Sequence, residues 1–218
     1  MKSTLVRPAS LVLALLLIPA CSGDKKVSPT LFSESFNGGF PSTNWTAPVV
    51  TGSATAAADH ANGFPAPSLK MSTTGATASV KTVSILSFDN PSVTVSGAMA
   101  TLSGATTELG SGSVSILDAT PAAVASATWN NATGLITFHI NGGAADATAP
   151  AASDGNFHQL VFTVTASGSA TWSFDGGAAL VTQAGFTAGM LKIELGATFG
   201  AGTAWPSFFF DEISVTTP

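Results

Sequence analysis

Apolar and polar residues alternate with a period of two in several short stretches of this 218-residue chain. The alternation is clear in Val93/Val95, Val114/Ile116, Leu160/Phe162/Val164, Leu191/Ile193/Leu195 and Ile213/Val215. A strand places successive side chains on opposite faces, so this pattern predicts half-buried strands and no long helix. The predicted segments are 31–36, 68–73, 79–87, 92–102, 112–117, 124–130, 135–140, 157–165, 170–174, 190–198 and 207–216. Between them stand turn sequences such as Asn37-Gly38-Gly39, Asn141-Gly142-Gly143, Asp154-Gly155-Asn156 and Asp175-Gly176-Gly177. Asn-Gly and Asp-Gly supply the positive φ angles that tight hairpins require. Many short strands with turn signals between them predict an all-β fold, a sandwich or a barrel. Phe208-Phe209-Phe210 carries aromatics on both faces of one strand, a hazard at a sheet edge, so that strand is expected to be central and covered.

The front of the chain follows a different pattern. Lys2 and Arg7 precede an apolar run from Leu11 to Ile18. Eight apolar residues suit a secretion signal and fall short of the roughly 20 that a membrane-spanning helix needs. The run leads into Ile18-Pro19-Ala20-Cys21, which resembles the lipobox of bacterial lipoproteins. That resemblance implies removal of residues 1–20, a diacylglycerol on the Cys21 thiol and acylation of the new N-terminus. The implied location is the cell envelope outside the cytoplasm. Ser22 after the cysteine points to the outer membrane. Residues 21–30 then form a lipidated linker and 31–218 a single domain. Each buried methylene contributes about 0.8 kcal/mol, so several acyl chains hold a protein that one chain would release. Cys21 is the sole cysteine of the sequence, which excludes an intramolecular disulfide and Cys-based metal sites.

Charge narrows the partners. From Leu31 onward Lys70, Lys81 and Lys192 stand against 11 acidic residues, a net charge of −8. Nucleic acids are bound by Lys and Arg that displace counterions from phosphates, so this domain is expected to repel them. Charged residues make up 9% of the chain, but hydrophobic ones make up 45%, enough to fill a core.

Three stretches share a further resemblance. They are Phe32-Ser33-Glu34-Ser35-Phe36-Asn37-Gly38-Gly39-Phe40-Pro41 with Trp45, then Asn156 to Val164 with Thr171-Trp172-Ser173-Phe174-Asp175-Gly176-Gly177, and finally Phe210-Asp211-Glu212-Ile213-Ser214-Val215. They resemble the first strand, a hairpin and the last strand of concanavalin A-like and laminin G-like domains. The resemblance implies a two-sheet antiparallel jelly-roll β-sandwich. In that superfamily the first and last strands are neighbours, and an acid from each often completes a calcium site. The matching residues are Glu34 and Asp211, with Asn37 able to lend a carbonyl; calcium takes six to eight oxygens.

The superfamily includes lectins, adhesion modules and glycoside hydrolases, so fold does not choose among them. Sugar binding needs exposed aromatic faces with amides and carboxylates beside them. Trp45, Trp129, Trp172 and Trp205 are the tryptophans. Trp129 is favoured because it borders the Asn130-Asn131 turn, and Trp205 comes second. Hydrolysis would need two carboxylates facing each other across the scissile bond, and no alternating Glu-x-Asp-x-x-Glu run is present. No nucleophile elbow, phosphate loop or paired-histidine motif occurs either. His158, at a strand opening, is expected to make a structural hydrogen bond. The expectation is a non-enzymatic module for a glycan or a surface partner. The alternatives are an envelope assembly lipoprotein with no small ligand, and a glycan hydrolase.

Overall fold

The computed structural model describes residues 29–217 apart from 65, 89–91, 105–106, 143 and 188. The predicted leader, Cys21 and most of the linker lie outside the described residues. In chain order the strands are β1 (Thr30–Glu34), β2 (Val49–Thr51), β3 (Ala54–Asp59), β4 (Ser68–Thr73), β5 (Ala78–Val83), β6 (Val93–Leu102), β7 (Gly110–Leu117) and β8 (Ala123–Asn130). They continue with β9 (Leu135–Ile140), β10 (Ala147–Pro150), β11 (His158–Val164), β12 (Ser169–Phe174), β13 (Ala179–Ala184), β14 (Lys192–Phe199) and β15 (Ser207–Thr216).

These strands form two antiparallel sheets. One runs β13-β12-β11-β6-β15-β4-β3, with β1 also paired to β15, and the other runs β10-β9-β8-β7-β14-β5-β2. The architecture is the expected two-sheet jelly-roll sandwich, with the first and last strands adjacent. The strand order is non-sequential because long connections carry the chain from one sheet to the other. Alternation supplies the interior: Val93, Val95, Met99, Phe208 and Phe210 from one sheet meet Val114, Ile116, Trp129, Phe138, Ile193 and Leu195 from the other. Gly112 lets the sheets pack tightly against Phe208. A Cβ on Gly112 would lie 2.5 Å from the Phe208 ring.

The Phe208-Phe209-Phe210 strand is central, between β6 and β4, as expected. Phe209 points to the outer face yet is fully covered, and the Lys70 ammonium sits 5.8 Å from its ring centroid. Further along β15 the register jumps: Asp211 pairs with Ala98, but Ser214 pairs with Ser96. The extra residue is a β-bulge at Glu212, which adopts φ 50°. Ile213 thereby turns inward opposite Gly97, where any Cβ would lie 2.6 Å from its Cδ1.

The sandwich has two distinct ends. At the proximal end the chain enters at Thr30, opposite Thr216, which pairs with Thr94. Phe88 and Leu191 pair through their backbones there, beyond the end of the β5–β14 ladder. At the distal end lie the Leu102–Asp154 bridge, the Asn130–Gly134 turn and the Gly200–Pro206 loop.

Candidate functional site

The favoured tryptophans are not open platforms. Trp129 is fully buried, because β8 turns Ala125, Ala127 and Trp129 inward and Ser126, Thr128 and Asn130 outward. Its ring meets His158 edge-on at 5.4 Å, and its indole N–H has no partner. Trp129 is therefore core, which corrects the sequence expectation. Trp45 packs against Phe32 and Phe36, and Trp172 donates its indole N–H to the His139 carbonyl at 3.1 Å. Trp205 is partly buried and donates to the Gly200 carbonyl at 2.9 Å, closing its own loop.

Both turn asparagines do structural work. Buried Asn131 donates to the Glu108 carbonyl at 2.8 Å and to Ser103 Oγ at 3.3 Å, and accepts from Ser153 Oγ at 2.6 Å. Exposed Asn130 accepts from the backbone N–H groups of Ala132 and Thr133, pinning the β8–β9 turn. Trp129, Asn130, Asn131 and Trp205 do not converge on one surface.

The expected calcium ligands are also separated. Glu34 pairs with inward-facing Ile213 and shares the inner face with Phe32. Asp211 lies on the outer face with Phe209, and Asn37 is exposed and donates to Ser35 Oγ. The acids are already occupied. Glu34 accepts from Phe36 N at 2.8 Å, Ser42 Oγ at 2.7 Å and Asn44 Nδ2 at 3.0 Å, which ties down the loop after β1. Asp211 accepts from Phe64 N at 2.6 Å and from Glu212 N at 2.8 Å. Among the described residues, no three His, Cys, Asp or Glu side chains converge as a metal cluster.

A different site emerges on the outer face of the β6–β15 sheet. A hollow of about 490 Å³ is lined by Phe64 and Phe157, by Ser96, Gly97 and Ala98, and by Gln159, Asp175, Glu212 and Ser214. Phe64 is 66% exposed and stacks on Phe157 with centroids 6.4 Å apart and planes 30° from parallel. Single exposed apolar residues are ordinary on a protein surface, so the distinguishing feature is the pairing of Phe64 with Phe157 in a hollow rimmed by polar groups.

Local structure holds the aromatic in place. Asp59 Oδ1 accepts from the backbone of Ala61 and Asn62, starting the β3–β4 loop in a tight turn. Ser68 Oγ donates to the Asn62 carbonyl at 2.6 Å, and Asp211 anchors the tip through Phe64 N. On the other wall, Asp175 Oδ1 accepts from Gln159 N and its Oδ2 binds His158 Nδ1 at 2.7 Å. His158 in turn stacks on Phe174 at 5.1 Å, so the expected structural hydrogen bond is present. Glu212 and Gln159, in contrast, make no side-chain hydrogen bond or ion pair among the described residues. The bulge holds Glu212 exposed at the groove.

Burial pushes the Asp211 carboxyl up to about 6, helped by the negative charges of Glu212 and Glu34 and opposed by the N–H groups of Phe64 and Glu212. The groove itself is lined by no cation.

The outer face of the other sheet has a hollow of about 370 Å³ lined mainly by serines and threonines, among them Ser113, Ser115, Ser126 and Thr128. Its Lys81 and Glu194 are paired at 3.0 Å, and no aromatic lines it. The sequence signal for the Phe64 site was thin. A lone aromatic in Asn62-Gly63-Phe64-Pro65 lies outside any alternating segment, and Phe157 reads as the start of a strand.

No protein-family model matches the sequence, nor does any curated protein. Solved structures do show the same architecture. The chain is similar to a sialidase, with a TM-score of 0.64 and 13% identity over 85% of this chain. It spans 18% of that sialidase's length. It is also similar to the Emp47p carbohydrate recognition domain, with a TM-score of 0.58 and 12% identity over 81% of this chain and 89% of that one. A third is lectin II from Ulex europaeus, with a TM-score of 0.57 and 9% identity over 86% and 99% of the two chains. At such identities the likeness defines the fold, a concanavalin A-like sandwich.

Proposed function

We propose that this chain is a lipid-anchored extracytoplasmic module that binds glycans, without catalysis, in the Phe64–Phe157 groove. Exposed Phe64 stacked on half-buried Phe157, beside Glu212 and Gln159 whose side chains have no hydrogen bond or ion pair among the described residues, carries this reading. An aromatic face packs against the C–H face of a sugar ring, while a carboxylate and an amide take its hydroxyls. The carbohydrate-binding names among the structural neighbours support the same assignment. The anchor rests on the signal-like leader and the lipobox-like segment ending at Cys21.

Charge selects the sugar class. A groove lined by Asp175 and Glu212 and by no cation, on a domain of net charge −8, favours neutral or amino sugars over uronates and sialates. The test is calorimetric binding of neutral, amino and acidic oligosaccharides to the protein and to Phe64→Ala. Loss of the stacking ring is expected to weaken binding about tenfold, or roughly 1.4 kcal/mol. Unchanged affinity in Phe64→Ala would overturn the site. Failure to bind any glycan would overturn the function.

A further inference from the structure

The structure gathers exposed apolar side chains at the proximal end of the sandwich. Ile85 is 51% exposed, Leu86 49% and Met190 47%. Met190 is far from Ile85 and Leu86 in sequence but on the same end of the fold. Ile85 N donates to the Asn44 carbonyl at 2.8 Å, and Phe88 bridges to Leu191, the neighbour of Met190. Leu31, also exposed, precedes Phe32, whose ring lies 5.8 Å from that of Phe88.

The bend that presents Ile85 and Leu86 is pinned. Ser84 N donates to the Ile193 carbonyl at 2.8 Å, Ile193 N donates to Ser84 Oγ at 3.0 Å, and Ser84 Oγ donates to the Leu86 carbonyl at 3.0 Å. Two apolar side chains are thus held outward on a fixed backbone. Beside Met190 a hollow is lined by Lys81 and Lys192, together with Asp118 and Glu194. Lys81 pairs with Glu194, whereas Lys192 makes no ion pair among the described residues.

The chain enters at this same end. Pro29 accepts from Thr217 N, and Thr30 lies opposite Thr216. Eight peptide steps separate Cys21 from Pro29, a reach of about 30 Å fully extended. The ten residues of β15 alone run about 33 Å. The distal end could meet the membrane only with the tether stretched along the whole sandwich, whereas the proximal end meets it without strain.

We infer that the proximal end docks on the lipid bilayer. Ile85, Leu86 and Met190 insert at the headgroup boundary, Lys192 faces a lipid phosphate, and the Phe64 groove is held clear of the membrane. Shallow apolar contacts next to an acyl anchor act together as two linked binding signals. This inference rests on the anchor reading at Cys21.

The test uses the full lipidated chain in vesicles of phosphatidylethanolamine and phosphatidylglycerol. Because Cys21 carries the lipid, an added cysteine is a unique thiol for an environment-sensitive fluorophore. Labels at Leu86→Cys and Met190→Cys are expected to shift to the blue and to be quenched by acyl-brominated lipid. Labels at the exposed distal positions Leu102→Cys and Leu135→Cys are expected to do neither. Ile85→Asp with Leu86→Asp should abolish quenching at position 190 while the vesicles still carry the protein. Equal quenching at all four positions, or at none, on vesicle-bound protein overturns the docking and leaves the anchor standing. If Cys21→Ser floats with vesicles as the parent chain does, or neither floats, the anchor falls and the docking with it.

Discussion

Replacing Asp211 by asparagine should flatten the dependence of stability on pH. Asp211 is fully buried on the outer face of β15, under the loop that carries Phe64. Its carboxyl is raised to about 6 in the folded protein, chiefly by burial. In the unfolded chain the same group titrates near about 3.9. A folded value above the unfolded one means that the folded state holds the proton more tightly. The resulting stabilisation is fully present below the unfolded value and is lost as pH rises through 6. By linkage, lowering the pH from 7.5 to 4.5 should add roughly 2 kcal/mol from this one group. With a urea m-value of about 2 kcal/mol/M, the midpoint should rise by about 1 M.

The asparagine variant keeps the shape and removes the titration. One of the N–H groups of Phe64 and Glu212 then faces the amide NH2 instead of an oxygen, so the variant should also lose about 1–2 kcal/mol at acidic pH. Urea melts of both proteins at pH 4.5, 5.5, 6.5 and 7.5 separate the two effects. Other titrating groups, including His139, whose value is raised first by Asp146 and then by Asn141, are common to both proteins and drop out of the difference. Parallel pH profiles for the two proteins would refute the assignment of a proton to Asp211.

Two further substitutions probe the interior. Trp129→Phe removes a buried N–H without a partner and leaves a modest void, so urea melts should show a change within about 1 kcal/mol, whereas Trp129→Ala should lose about 3–5 kcal/mol. A loss above about 3 kcal/mol in the phenylalanine variant would mean that the indole N–H is hydrogen-bonded after all. Gly112→Ala places a Cβ 2.5 Å from the buried Phe208 ring and should cost about 1–3 kcal/mol by overpacking. Phe208→Leu in the same chain should recover part of that loss, and additive double-mutant energies would count against the contact.

Apart from β1, which pairs with β15 alone, the strands that could be read in the sequence differ from those that could not in one physical respect. Segments 68–73, 135–140 and 207–216 match β4, β9 and β15 residue for residue. Four strands gave no signal: β2, β3, β10 and β13. They are the four ends of the two sheet orders. An interior strand is flanked on both sides and lies over the core, so burial imposes alternation on its sequence. An edge strand such as Ala54–Asp59 buries little beyond Ala54, and Val49–Thr51 is exposed throughout, so composition there is free to drift to alanine and threonine.

The site follows from the same cause in reverse. Trp129 looked functional because it adjoins a polar turn, yet its parity with Ala125 and Ala127 already marked it as inward. Phe64 carries no parity, because it sits in a loop, and its placement depends on Asp211, 147 residues away. A buried aspartate on the outer face of a central strand has no packing reason to be there. Its role is to hold the backbone of Phe64, and that makes the exposed phenylalanine a positioned feature of the groove. The bulge at Glu212 strengthens this conclusion. A non-glycine residue at φ 50° costs about 1 kcal/mol, and the distortion both turns Ile213 into the core and sets beside the aromatic pair a Glu212 carboxylate that has no partner among the described residues. Asp211, the bulge and the β3–β4 loop therefore act as one unit that shapes the groove proposed to bind glycans.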